Sequence, residues 1–209
     1  MGTPIVFGMA RSVYVRAARM TLEEKGCQYR LAEVDPFQEG GPPAAHLARQ
    51  PFAKVPAFEH DGFRLYETDA IVRYVDEVFD GPALTPAEPK ARARMTQVMR
   101  IMDNYAYPSL VWGVFVAEFR EPDAAKVASA VPLVRTTLTA LADLQDGADY
   151  LAGDGLTLAD LYAAPMFIYF AVAPTGRELL EEFPTLHDWL GRIKQRPSIA
   201  VTRSPLEDG

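Results

Sequence analysis

Residues 54–75, KVPAFEHDGFRLYETDAIVRYV, carry the side chains and turns most able to do chemistry. Val55-Pro56 opens a short apolar run, His60-Asp61-Gly62 signals a turn, and a second strand-like run ends in Glu67-Thr68, where helical periodicity begins. A turn of this kind can hold an extended peptide. Main chain beside Val55-Pro56 would pair with the main chain of the ligand. The amides and side chains of Glu67 and Thr68 would hold its charged end, at a helix start suited to an anion. Ser12 stands at the start of another helical pattern, where a hydroxyl serves as an N-cap.

The elements that must position these residues read in the order β-α-β-loop-β-β-α over residues 1–80. Residues 4–8 (PIVFG) have strand length. Ser12 caps a helix with Val15, Ala18 and Leu22 on its apolar face, stopped by Lys25 and Gly26. Cys27, Tyr29 and Leu31 alternate with polar neighbours as a half-buried strand. Residues 36–51 read as an irregular loop or a short helix. The runs on either side of His60-Asp61-Gly62 form a hairpin, and Thr68 caps a helix with Ile71, Val72, Val75, Val78 and Phe79 in one stripe.

Residues 81–90 lie in a stretch, DGPALTPAEPK, with three prolines and a glycine, and read as a linker. Residues 91–209 are helical almost throughout. A long helix starts near Pro86 or Pro89 with Met95, Val98, Met102 and Tyr105 on one side, and Pro108 is expected to kink or break it. A second runs over about residues 122–145, with Pro132 as a point of disturbance. Thr157 and Asp160 have capping-box spacing ahead of a buried helix. Residues 183–195 give a last amphipathic helix with Leu186, Trp189, Leu190 and Ile193 inward.

Composition bounds the function. The chain has 209 residues, 49% hydrophobic and 23% charged, which is ordinary for a folded globular protein of one large or two small domains. A formal net charge of −7 weighs against nucleic acid or an anionic membrane as the main partner. One cysteine excludes an intramolecular disulfide, and three scattered histidines make a Cys/His zinc site a poor expectation. No signal peptide is evident. The longest apolar run, residues 161–173, is too short to span a bilayer, so the cytoplasm is the expected compartment.

These features together resemble the glutathione transferase family over nearly the whole chain. The runs VFGMARS, LEEKG and AHLARQPFAKVPAFEHDGFRLYETDAI are most similar to the phi-type and related bacterial serine enzymes. LTLADLYAAP and FPTLHDWLGRIKQRPSI are similar to the family's helical domain. The resemblance implies a thioredoxin-like α/β N-terminal domain, an all-α C-terminal domain, glutathione as co-substrate and no metal. A hydrophobic electrophile or a hydroperoxide would be the second substrate, and a homodimer is expected.

It also implies roles. Ser12 would donate its hydroxyl hydrogen bond to the glutathione sulfur. A free thiol has a pKa of about 8.5, and lowering it by about two units takes roughly 2.7 kcal/mol. One charge-assisted hydrogen bond and one helix end suffice for that. A plain N-cap is the alternative role for the same residue. Phe7 stands where tyrosine-type members place their phenol. Glu67 would face the γ-glutamyl ammonium and Thr68 its carboxylate. Val55 would pair with the cysteinyl part beside a cis Pro56, and Lys54 would reach the glycine carboxylate. The second substrate is expected between the domains, with Met9, Arg11, Tyr107, Trp112, Phe115 and Phe119 as candidates. Phe52 resembles the aromatic that docks into a partner subunit.

The chain departs from the family's pattern at Ala10, at Ala53, and at Gly40-Gly41-Pro42-Pro43, where a basic pair is missing. Arg11 either compensates for that pair or faces the second substrate. His46, where an aromatic often packs, and Cys27, a small buried residue, read as structural. Two further functions stay open: a glutathione-dependent isomerase or lyase, and a non-catalytic module of the same fold.

Overall fold

The computed structural model describes residues 2–207. The chain divides into two compact units, Met1–Ala83 with Pro197–Pro205 and Leu84–Arg196 with Leu206–Gly209.

The first unit is an α/β fold. Strand β1 (Ile5–Phe7) leads to helix α1 (Val13–Glu24), strand β2 (Arg30–Ala32), a short helix α2 (Ala44–Leu47), the hairpin β3 (Ala57–His60) and β4 (Phe63–Tyr66), and helix α3 (Thr68–Val78). The sheet order is β2-β1-β3-β4. β1 pairs parallel with β2, Val6 opposite Leu31, and antiparallel with β3, Val6 opposite Phe58. The period-2 alternation puts Val6 and Phe58 on one face of the sheet. There they meet Val15, Ala18 and Leu22 of α1 and Ile71 and Val75 of α3, all fully buried. Each of these side chains except that of Ala18 contributes about 1.5–3 kcal/mol of burial, so this face holds both helices against the sheet.

Several expectations change in detail. The strand over residues 27–32 shortens to Arg30–Ala32, and Cys27 is half-buried rather than buried. Burial, helped by Glu23, holds its thiol above the usual range. Thr68 does not cap α3. It is the first helical residue, and Glu67 holds the cap position with φ 70°. Asp76, rather than Val78 or Phe79, completes the buried face of α3, because Lys25 meets it there.

The second unit begins with α4 (Pro89–Ile101), which runs into a π-helical segment, Met102–Val116, and the short α5 (Ala117–Phe119). Pro108 does not break the helix: it lies inside the π-helical segment, and the Ser109 hydroxyl donates to the Tyr105 carbonyl at 2.6 Å. Tyr105, expected inward, is exposed. Helix α6 (Ala124–Gln145) continues through Pro132. Gly113 lets α6 approach closely: a Cβ there would fall 2.6 Å from that of Ala130. Helix α7 (Leu158–Val172) buries thirteen of its fifteen residues, as a helix apolar on every side must. Helices α8 (Pro174–Glu181) and α9 (Pro184–Ile193) follow. Leu186, Trp189, Leu190 and Ile193 of α9 are buried.

The capping box at α7 forms as the spacing predicts. Asp160 is fully buried and accepts from the Leu151 and Thr157 amides, the Thr157 hydroxyl and Trp189 Nε1, at 2.8–3.0 Å. Burial pushes its carboxyl up against the pull of these four donors.

The chain re-enters the first unit with α10 (Pro197–Val201), a short helix absent from the sequence reading, as was α8. It packs on α1, where the buried Arg16 donates to the Ile199 carbonyl at 3.3 Å and to the Thr202 hydroxyl at 3.4 Å.

Candidate functional site

Strand register gathers the chemistry at one end of the sheet. Phe7 lies opposite Ala57, and Ala57 opposite Tyr66. The next residues out along the three strands are therefore Gly8, Pro56 and Glu67. Helix α1 starts just beyond the first and α3 just beyond the last, so two helix N-termini and the Val55-Pro56 turn share one edge. Gly8 marks how tightly they meet: a Cβ there would overlap Cγ2 of Val15 and stand 3.0 Å from Cβ of Val55.

Ser12 is the N-cap of α1, with extended backbone (φ −69°, ψ 129°). Its Oγ accepts from the Val15 amide at 3.4 Å. Among the described residues the hydroxyl proton has no acceptor. The group is thus half used: the oxygen caps the helix and the O–H remains to be given to an anion. Phe7, one residue inside β1, carries no donor, and the Arg49 guanidinium lies 4.4 Å over its ring.

The Val55-Pro56 peptide bond is cis. Neither main-chain group of Val55 has a hydrogen-bond partner among the described residues. Pairing with an extended ligand would supply one, which buried or half-buried amides require. The loop before it is held from beneath. Gln50, buried, accepts from the Phe52 amide at 2.7 Å and the Lys54 amide at 3.4 Å, and the buried His46 bonds the Lys54 carbonyl at 2.7 Å. The Lys54 side chain is exposed and pairs with no carboxylate among the described residues.

Glu67 is exposed and its carboxylate has no partner among the described residues. Its φ of 70° is uncommon for a non-glycine residue and is held by the exit of the hairpin into α3. No side chain caps α3. Its first-turn amides and the Thr68 hydroxyl, which has no partner among the described residues, are available to an anion.

Arg11, between β1 and α1, forms an ion pair of 2.8 Å with Asp35. The Phe37 amide first, and then Arg11, hold the Asp35 carboxyl below its usual range. Met9 is buried. In the second unit Tyr107 and Trp112 meet edge to face at 6.3 Å, and burial raises the Tyr107 phenol. Phe115 is core: it is 3% exposed and stacked between Phe119 and Tyr169, at 5.7 and 4.6 Å. Phe52 is 63% exposed and its ring meets that of Tyr66 at 6.0 Å. No group of three His, Cys, Asp or Glu side chains among the described residues could hold a metal ion.

Sequence reasoning missed Gly8, Gln50 and the reach of His46. Only the positions of Gln50 and His46 shortly before Val55-Pro56 could have pointed to them.

The chain matches the models for "Glutathione S-transferase, N-terminal domain" over residues 6–83 and "Glutathione S-transferase, C-terminal domain" over residues 113–192. A probable glutathione S-transferase of Oryza sativa subsp. japonica is 27% identical, covering 94% of this chain and 94% of its own length. Glutathione S-transferase 4 of Zea mays is 29% identical, covering 95% of this chain and 92% of its own. The theta class glutathione S-transferase of the citrus canker pathogen Xanthomonas axonopodis pv. citri, solved with glutathione bound, superposes with a TM-score of 0.85 at 27% identity, covering 99% of this chain and 100% of that one.

Proposed function

The chain belongs to the glutathione S-transferase family, and we propose that it binds glutathione at the edge formed by Ser12, Val55-Pro56 and Glu67-Thr68 and holds its thiol as the thiolate. The observation that carries this reading is the Ser12 hydroxyl, whose oxygen caps α1 while its proton is unspent. The thiolate is the nucleophile of thiol chemistry, and a donor at a helix N-terminus lowers its pKa. The bound thiolate attacks an electrophilic carbon, or the oxygen of a hydroperoxide. Most of the acceleration comes from thiolate concentration and alignment.

The remaining roles follow the chemistry of each group. Glu67 takes the γ-glutamyl ammonium. Thr68 and the open start of α3 take its carboxylate. Val55 pairs with the cysteinyl main chain, and Lys54 meets the glycine carboxylate. Residues 1–80 form the glutathione-binding domain, 81–90 the linker, and 91–209, apart from the returning segment Pro197–Pro205, the helical domain that contributes the electrophile's contacts, with Tyr107 and Trp112 as candidates. Met9 and Arg11 are their counterparts in the first domain. A cytoplasmic homodimer acting in detoxification fits this reading and is supported by membership of the family.

The test is the ultraviolet thiolate absorbance of glutathione mixed with the protein, titrated from about pH 5 to 9 around the free-thiol value, beside Ser12→Ala. The expected result is a thiolate that forms about two units below the free thiol and is lost in the variant. A bound but unshifted thiol would make the protein a binding module.

A further inference from the structure

His46 lies in the four-residue helix α2, is 2% exposed, and spends its ring on one atom, the carbonyl oxygen of Lys54, 2.7 Å from Nε2. A carbonyl only accepts, so Nε2 carries the proton. That carbonyl belongs to the peptide unit joining Lys54 to Val55, which is trans. In a planar trans peptide the C=O and N–H point in opposite directions. Pulling the Lys54 carbonyl inward toward His46 therefore turns the Val55 N–H outward, where no acceptor among the described residues meets it. The preceding peptide is fixed separately, by the Lys54 amide on Gln50 Oε1, with Ala53 at φ 56°. The two side chains determine the two peptide planes that lead into the Val55-Pro56 turn.

We propose that His46 is a positioning residue for the thiol peptide: by holding the plane of the Lys54–Val55 peptide it aims the Val55 amide at the main-chain acceptor of the ligand. The inference rests on the proposed function, since it names which protein group directs that pairing. It separates affinity from activation. His46 acts on the peptide main chain through Val55, whereas the sulfur is served by Ser12 on another element. Loss of His46 weakens binding of any γ-glutamylcysteinyl peptide and leaves the ionisation of the bound thiol alone.

The experiment compares wild type, His46→Phe and His46→Gln. Phe fills the site without a donor, and the Gln amide nitrogen extends to nearly the place of Nε2. Calorimetry with glutathione and with S-methylglutathione, which has the same main chain and no thiol, is run beside steady-state kinetics with an electrophile. In His46→Phe both affinities fall by about fivefold, the effect of one neutral hydrogen bond. KM for glutathione rises by the same factor, while kcat and the pH at which the bound thiolate appears stay unchanged. His46→Gln restores affinity to within about twofold, since one donor is replaced by another. If His46→Phe does not fold, His46→Asn, whose amide is too short to reach, replaces it. Equal affinities in all variants overturn the inference. So does a fall in kcat and binding stoichiometry at constant KM, which marks lost folded protein. A wild-type protein that binds neither peptide overturns the proposed function and this inference with it, whereas wild-type binding that the variants leave intact overturns this inference alone.

Discussion

Gly8 and Val55 approach so closely that a Cβ on Gly8 would stand 3.0 Å from the Cβ of Val55. The same added atom would overlap Cγ2 of Val15, so it would push apart the start of α1 and the Val55-Pro56 turn. Gly8→Ala is expected to destabilise the protein by about 1–3 kcal/mol through overpacking. It should also weaken glutathione binding, because Val55 moves relative to Ser12. Urea denaturation and calorimetry on one preparation check both. A variant with normal affinity would show that the spacing of these elements is not what shapes the site.

The local structure around the candidate site is legible in the sequence where local rules act. Ser12 reads as a cap because a hydroxyl before an apolar-periodic run has few other uses, and the hairpin reads from Asp61-Gly62. Asp160 reads as a box partner from its distance to Thr157. What was not legible depends on partners brought together by the fold. His46 reads as packing, and only the closed loop shows its ring on the Lys54 carbonyl. Arg16 sits among apolar residues of α1 with no sign in its neighbours that Thr202 will meet it. Thr68 reads as a cap by residue type, yet the hairpin exit forces the non-helical conformation onto Glu67 instead. Pro108 reads as a breaker because the rule assumes an α-helical turn, and the chain there winds more widely.

Lys25 is a case where burial sets the size of the effect. Its Nζ meets Asp76 Oδ1 at 3.2 Å and the Asp76 and Pro82 carbonyls at 3.0 Å each, with both side chains at most 5% exposed. Lys25→Met removes the buried ammonium that faces the Asp76 carboxylate and the Asp76 and Pro82 carbonyls, and should cost about 3–5 kcal/mol. Lys25→Met combined with Asp76→Leu should recover more than half of that, since the buried carboxylate that faced the lost ammonium is gone as well. Chemical denaturation of the two single variants and the double variant decides it. Additive losses would mean that the pair is not coupled.

Asp160 gives a pH dependence whose sign follows from burial. Its native carboxyl is raised above the unfolded value of about 3.9. The folded state therefore binds the proton more tightly than the unfolded chain. The stability this group contributes is full below that unfolded value and is lost as pH rises through the raised native one. Asp160→Asn does not titrate, and it turns an NH2 toward one pair of donors, so it should be less stable by about 2 kcal/mol near neutrality. The stability advantage of wild type over Asp160→Asn should shrink as pH rises above the unfolded value of about 3.9. Urea melts at several pH values measure it, and a difference that stays flat or grows would sink the assignment.

Glu67 and Thr68 should govern the γ-glutamyl end and nothing else. The Glu67 carboxylate is unpartnered among the described residues, and the Thr68 hydroxyl stands at an uncapped helix start. Hydrogen bonds to charged groups contribute about 1.5–3 kcal/mol, so Glu67→Gln and Thr68→Val should each weaken glutathione binding by about tenfold or more. Cysteinylglycine, which lacks the γ-glutamyl group, offers the control: its weaker binding should be the same in wild type and both variants. The thiolate shift of bound glutathione should persist in both, because the Ser12 hydroxyl is untouched at the other helix start. If Glu67→Gln weakens cysteinylglycine as much as glutathione, the residue is holding the shape of the hairpin exit rather than the ligand. Its φ of 70° would then be a feature of the turn alone.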